Sequence, residues 1–305
     1  MAIESKSFST VGVAHIAAAL TVTMWGVSFV SSTVMMDHGL GPVTVYISRF
    51  IGAYLIMWIL CNKRLWANSL RDELLLAVCG ITGSTINYLA ENYALKYTLA
   101  TNVSLITSMA PLVTMLLVGL IYRNERPTRG ALLGSLVAFL GVGFVIFNSS
   151  LVMKINPLGD LLSLAAAFSW ACYTIVLRKV QAFYDVAFVT RKTFFYGLVT
   201  SLPFLLFSGE HLFDPAWHEP AVWVNYLFLT LGCSTAGFML WAVAVKGIGA
   251  VKANNYMYFQ PVVTLVFAVL FLGQAITVVG VIGFVLILTG VILSDKLDMR
   301  ERMRR

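Results

Sequence analysis

Residues 94–112 read ALKYTLATNVSLITSMAPL, and residues 244–262 read AVKGIGAVKANNYMYFQPV. Each stretch opens on a small residue with a Lys two positions on (Lys96, Lys246). Each places an Ala at the sixth following position (Ala100, Ala250) and closes on a single Pro (Pro111, Pro261). The offset between the copies is 150 residues, long enough to be a whole bundle of elements duplicated. The echo extends outward. Met24-Trp25-Gly26 matches Ser169-Trp170-Ala171, and Gly134 and Gly141 match Gly283 and Gly290.

Apolar residues make up 59% of the 305 and charged residues only 11%, at a mean hydropathy of +0.85. Soluble domains sit nearer 45–50% and about 25%. The chain therefore reads as an all-α integral membrane protein. The net charge of +7 does not point to nucleic acid, because the Lys and Arg fall in short segments between apolar runs. Cys61, Cys79, Cys172 and Cys233 are scattered without metal-ligand spacing and read as reduced thiols. No cofactor or metal is expected.

A membrane helix needs about 20 mostly apolar residues. Ten runs qualify: roughly 11–35, 42–61, 74–95, 99–121, 129–147, 158–178, 187–208, 221–245, 250–272 and 276–294. They divide into a first repeat, residues 1–150, and a second, residues 151–305 with a short basic tail. Five is odd, so the second copy enters the membrane from the opposite side, giving two inverted five-helix repeats. Charge agrees with a cytoplasmic N-terminus. The inner segments then hold Lys6, Lys63, Arg64, Arg71, Arg123, Arg126, Arg129, Arg178, Lys179, Lys246, Lys252 and the tail from Lys296 to Arg305. The outer ones hold only Lys96 and Lys154, with the acids Asp37, Glu210, Asp214 and Glu219.

The ordered set Trp25-Gly26, Pro42, Arg49, Ala94-Leu95-Lys96-Tyr97, Ala100, Pro111-Leu112, Asn124-Glu125-Arg126 and Gly134 resembles the drug/metabolite transporter superfamily, specifically its EamA family. The second half adds Gly159-Asp160, Trp170-Ala171, Lys246, Ala250, Pro261-Val262, Gly273, Gly283 and Gly290. One departure is Gln274, where that family commonly carries Glu. The resemblance implies ten helices around a central cavity and both termini in the cytoplasm. It also implies transport of amino acids, other metabolites or toxic compounds, often outward.

Transporters built from inverted repeats bind substrate near the midplane, where the repeats meet. Ionisable groups at that depth are expensive and default to functional candidates. Glu91 lies roughly 6–9 Å below the outer end of its span and Arg49 about 10 Å below the end of its own, at 1.5 Å per residue. Two readings stand. One is a structural ion pair. The other is a site at which Arg49 takes a substrate carboxylate bidentately and Glu91 exchanges protons. Trp241 replaces Glu91 in the second half. Lys192 stands near the place of Arg49 with no matching acid, and reads as a side chain snorkelling to the inner surface.

Further lining candidates are Tyr46, Asn87, Asn102, Ser108, Tyr173, Asn255 and Tyr258, with Trp25 and Trp170 as cavity walls. Interhelical hydrogen bonding or plain packing is the competing reading for each. Pro111 and Pro261 each remove a backbone hydrogen bond, which bends the helix either as a gate or as a fixed kink. Nothing resembles a catalytic constellation: His15, His38, His211 and His218 are dispersed. The sequence therefore predicts a secondary transporter of the bacterial inner membrane, a monomer or homodimer. It would export small metabolites, amino acids first, by alternating access with optional proton coupling. Uptake of a small organic cation is the rival within the class; a membrane enzyme acting on lipid-linked substrates is the rival outside it.

Overall fold

The computed structural model describes residues 2–61, 64–122, 127–149, 156–272 and 278–303. Lys63, Arg123, Asn124, Glu125, Arg126, Lys154, Gly273, Gln274, Arg304 and Arg305, singled out above, lie outside the described residues. Among the described residues there is no strand. The helices are α1 (Ala2–Asp37), α2 (Pro42–Leu60), α3 (Leu70–Tyr97), α4 (Ala100–Ile121), α5 (Arg129–Ser149), α6 (Pro157–Val180), α7 (Val186–Ser208), α8 (Pro220–Ile248), α9 (250–272) and α10 (Val278–Met303). Of these α1, α2, α3, α4, α6 and α8 are long and apolar enough to cross a membrane.

The helix starts follow local chemistry. Ser69 accepts a hydrogen bond from Asp72 N at 3.2 Å, and Asn156 accepts from Leu158 N and Gly159 N at 3.1 and 3.2 Å. Pro42, Pro157 and Pro220 occupy first-turn positions, where a missing N–H costs nothing. α8 passes to α9 through Gly249, whose φ of +82° suits glycine alone.

Packing repeats with the sequence. α1 lies against α8 and α9, and α6 lies in the same way against α3 and α4. α2 pairs with α7, and α5 with α10. Exchanging each helix for the one five places on maps this scheme onto itself, the structural form of the duplication. The α5–α10 contact is the tightest. A Cβ on Gly134 would stand 2.3 Å from Ser294 N, and one on Gly290 2.2 Å from Ala138 N. Small residues let the backbones meet there, as dispersion and close packing require where lipid removes the hydrophobic drive.

The interrupted helices are also paired. α3 widens into a π-helical stretch at Ile81–Ile86 and α8 into another at Phe228–Ala236. α4 breaks at Ser108 and Met109, between Ala100–Thr107 and Ala110–Ile121. α9 tightens into a 3-10 turn at Tyr256–Phe259 before Gln260–Leu272. Pro111 and Pro261 each sit at the start of the second segment, so each follows a break rather than bending a continuous helix.

The α5–α10 contact predicts that Gly290→Val lowers stability by about 1–3 kcal/mol, the usual cost of overpacking. Gly12→Ala, with nothing within 4 Å of its Cβ, does not. Unfolding in detergent micelles measures both.

Candidate functional site

The centre of the bundle is a layer of buried rings: Trp25 (α1), Tyr46 and Phe50 (α2), Tyr88 (α3), Trp170 and Tyr173 (α6), Phe194 (α7), and Phe238 and Trp241 (α8). Trp25 meets Trp170 edge-on at 4.9 Å and Trp241 at 5.3 Å; Trp170 meets Trp241 at 5.6 Å and Tyr173 at 4.9 Å. Offset and edge contacts of this kind are favoured by ring quadrupoles.

The two π-helical stretches hold this layer in place. In α8, the Cys233 carbonyl accepts from Trp25 Nε1 at 2.9 Å. In α3, the Thr82 carbonyl accepts from Ser169 Oγ at 2.7 Å. Met24-Trp25 and Ser169-Trp170 are the duplicated pair, so each copy anchors on the π stretch of the other half. Ser84 and Ser234, again 150 apart, both reach α2: Ser84 Oγ lies 2.9 Å from Tyr46 OH, and Ser234 Oγ accepts from Arg49 Nε at 2.8 Å. Wide turns of this type shift helix register and recur at functional sites.

Arg49 has no exposed surface. Its guanidinium carbon lies 4.6 Å from the Tyr88 ring centre and 5.5 Å from that of Phe50. Beyond the bond to Ser234, Nη1 and Nη2 have no hydrogen-bond partner among the described residues. Glu91, one turn along α3 from Tyr88, is buried and near enough to feel the Arg49 charge through space. The two nevertheless form no ion pair, so the structural pair expected as one reading is not made. Arg49 is instead turned toward Ser234 and stacked on Tyr88.

Glu91 lines a small central cavity of about 20 Å³, room for one water molecule. Trp25, Asn87 and Trp170 also line it. Tyr46, Arg49, Tyr173 and Trp241 stand behind that lining, in the ring layer. Ser28, Tyr88, Thr107, Ala167, Met257 and Gln260 complete the wall; of these Ser28, Tyr88, Ala167 and Met257 were missed. The signal for Ser28 was its place one turn beyond Trp25. Thr107 and Gln260 belong to the polar runs that precede Pro111 and Pro261 in the sequence. Asn102 donates to Thr98 Oγ1 at 3.2 Å and Ser108 to the Leu105 carbonyl at 2.6 Å, both within α4 and its approach. Tyr258 packs with Ala138, Leu265 and Ile287 beside the α5–α10 pair, and Asn255 is buried outside the cavity wall. On this side of the cavity the wall is made by Met257, in the 3-10 turn, and by Gln260, which follows it.

Both ends of α2 are tied to the second half. At its start, Glu210 caps the helix, accepting from Thr44 N at 2.8 Å, and lies where a Cβ on Gly41 would be. Beyond its end, Arg191 of α7 donates to the Cys61 and Arg64 carbonyls. Close by, Lys192 pairs with Glu73 of α3, which also accepts from Tyr196 OH and from Ala67 N. Lys192 further stacks over Trp66 at 4.6 Å. This corrects the reading of Lys192 as a snorkelling cation without an acid. Its partner belongs to the first turn of α3, in a segment read as a basic loop.

A duplicated, all-helical membrane protein with a small cavity between its halves is a solute carrier in outline. The chain belongs to the EamA-like transporter family, whose sequence pattern matches residues 12–147 and again 157–294. That is a family of transporters, which sets the membrane-enzyme reading aside. An uncharacterized transporter of Archaeoglobus fulgidus is 28% identical over 92% of this chain and 96% of its own length. A probable terminal-alkyne amino-acid exporter of Streptantibioticus cattleyicolor is 27% identical, covering 93% of each. A probable amino-acid metabolite efflux pump of Salmonella typhimurium is 26% identical over 91% of this chain and 93% of its own. A crystal structure at 17% identity superposes with a TM-score of 0.74 over 94% of this chain and 98% of that one, and shares the fold.

Removing one partner of a buried ion pair strands the other. Lys192→Met is expected to cost on the order of 3 kcal/mol. Glu73→Gln in the same chain recovers part of it, with a coupling of about 1–3 kcal/mol in a double-mutant cycle. A coupling near zero contradicts the pairing.

Proposed function

We propose that this transporter exports amino acids or related small amphipathic metabolites from the bacterial cytoplasm, by alternating access. All ten helices cross the inner membrane. The first repeat (residues 1–150) and the second (residues 151–305) are inverted, and both termini are cytoplasmic. The carrier works as a monomer or homodimer.

The observation that carries the reading is the placing of Arg49 and Glu91 at the centre. Arg49 offers two unpartnered nitrogens, and Glu91 faces the cavity. A buried charge without partners costs several kcal/mol, and an α-amino acid carries the complement of both. Its carboxylate suits the fork of Arg49 and its ammonium suits Glu91. Two relatives, a probable amino-acid exporter and a probable amino-acid metabolite efflux pump, point the same way.

Alternating access then needs one mouth closed while the other opens. The Glu210 cap on α2 closes the outer end, and the Glu73–Lys192–Tyr196 cluster closes the inner end. Both bridge the repeats, so rocking one half against the other breaks one cluster at a time. Glu91, freed of substrate, is the group that takes up a proton for exchange. Pro111 and Pro261, next to breaks in α4 and α9, are the hinges.

Proteoliposomes loaded with a mixture of the twenty L-amino acids test this. Saturable efflux with counterflow is expected, faster with a pH gradient. Arg49→Lys, which keeps the charge but loses the fork, is expected to lower kcat/KM by about tenfold or more. Glu91→Gln is expected to abolish the response to pH and, because the ammonium loses its partner, to raise the KM of the counterflow that remains. Flux that does not saturate, or a gradient response that survives Glu91→Gln, contradicts the respective role.

A further inference from the structure

We propose that Ser234 is a positioning residue that sets Arg49 as a carboxylate clamp and lets the clamp exist in only one arrangement of the two repeats. The inference rests on the amino-acid reading above and narrows it to solutes that carry a carboxylate.

A guanidinium has one Nε and two Nη groups in a rigid plane. A carboxylate is gripped bidentately only if two of those donors are free and their plane is fixed. Here Nε is spent on Ser234 Oγ at 2.8 Å, and the Tyr88 ring lies against the plane at 4.6 Å. Two contacts fix the plane, and both Nη groups are left over, buried and unpartnered. Tyr88 and Glu91 both line the central cavity, so the clamp stands one ring away from the space a substrate enters.

Ser234 reaches Arg49 because it lies in the π-helical stretch of α8, where the widened turn resets which side chains face α2. Its counterpart Ser84, in the π stretch of α3, reaches α2 as well but takes Tyr46 instead. The two contacts differ in one respect. Ser84 and Tyr46 belong to the same repeat, whereas Ser234 and Arg49 belong to different ones. Rocking leaves the first contact whole and pulls the second apart. Without Ser234, Nε needs another acceptor and the plane is no longer fixed. Carboxylate affinity therefore differs between the states, which is what a carrier needs in order to release its load on the far side.

Purified wild type, Ser234→Ala, Ser234→Thr and Ser84→Ala are compared for thermal stabilisation by each of the twenty L-amino acids, by their amides and by the 2-oxo acids with the same side chains. The readout is the ratio of affinity for acid over amide, which a merely structural role would not move. The expected result is a ratio lowered roughly tenfold in Ser234→Ala, the scale of one hydrogen bond. Ser234→Thr restores it and Ser84→Ala leaves it as in wild type. An unchanged ratio in Ser234→Ala overturns the inference, as does an equal fall in Ser84→Ala. If no amino acid acts but 2-oxo acids do, with the same dependence on Ser234, the clamp stands and the amino-acid reading falls. If no carboxylate of either kind acts on wild type, the clamp is overturned.

Discussion

An arginine held by one nitrogen, in a place that water does not reach, is the constraint around which this bundle is arranged. A charge in such surroundings costs several kcal/mol unless it is paired. Arg49 receives a hydroxyl from Ser234 and the face of a tyrosine, and no carboxylate. The ring layer around it keeps the region dry. The wide turns of α3 and α8 bring serines to α2 that a regular helix would direct elsewhere. Those turns in turn anchor Trp25 and Ser169, so the cavity wall and the arginine share one scaffold.

Duplication explains why such a scaffold serves transport. Each helix has a counterpart in the other half, and the contacts between halves come in matched sets: α1 on α8 with α6 on α3, α2 on α7, α5 on α10. The α5–α10 contact is fixed by glycine against backbone. The contacts at either end of α2 are of another kind, a carboxylate on a helix start and a salt-bridged lysine. These are polar, directional and replaceable by water when exposed. The halves are thus joined by a dense seam at α5–α10 and by polar ties at the two ends of α2.

Much of this was legible in the chain. Hydropathy gave the class, the 150-residue offset gave the duplication, and depth counting placed Arg49 and Glu91 in the same layer. Trp25, Asn87, Glu91 and Trp170 border the central cavity. Other features escaped for identifiable reasons. The π stretches carry no apolar period of their own; only the echo of Ser84-Thr85 in Ser234-Thr235 marked them. The density of polar residues before Pro261 singled out Asn255 and Tyr258, but not the 3-10 turn at Tyr256–Phe259, beside which Met257 and Gln260 border the cavity. Glu73 was hidden among the basic residues of a segment read as loop, so Lys192 appeared to lack an acid. Depth also brought Arg49 near Glu91 without foretelling that Arg49 turns to a serine of the other half.

The most direct measurement is a structure of the protein with an amino acid bound. The account predicts the α-carboxylate within hydrogen-bond distance of Arg49 Nη1 and Nη2, and the ammonium on Glu91, inside a cavity enlarged between Trp25 and Trp170. An amino acid seated elsewhere, with both of those groups still unpartnered, would contradict it.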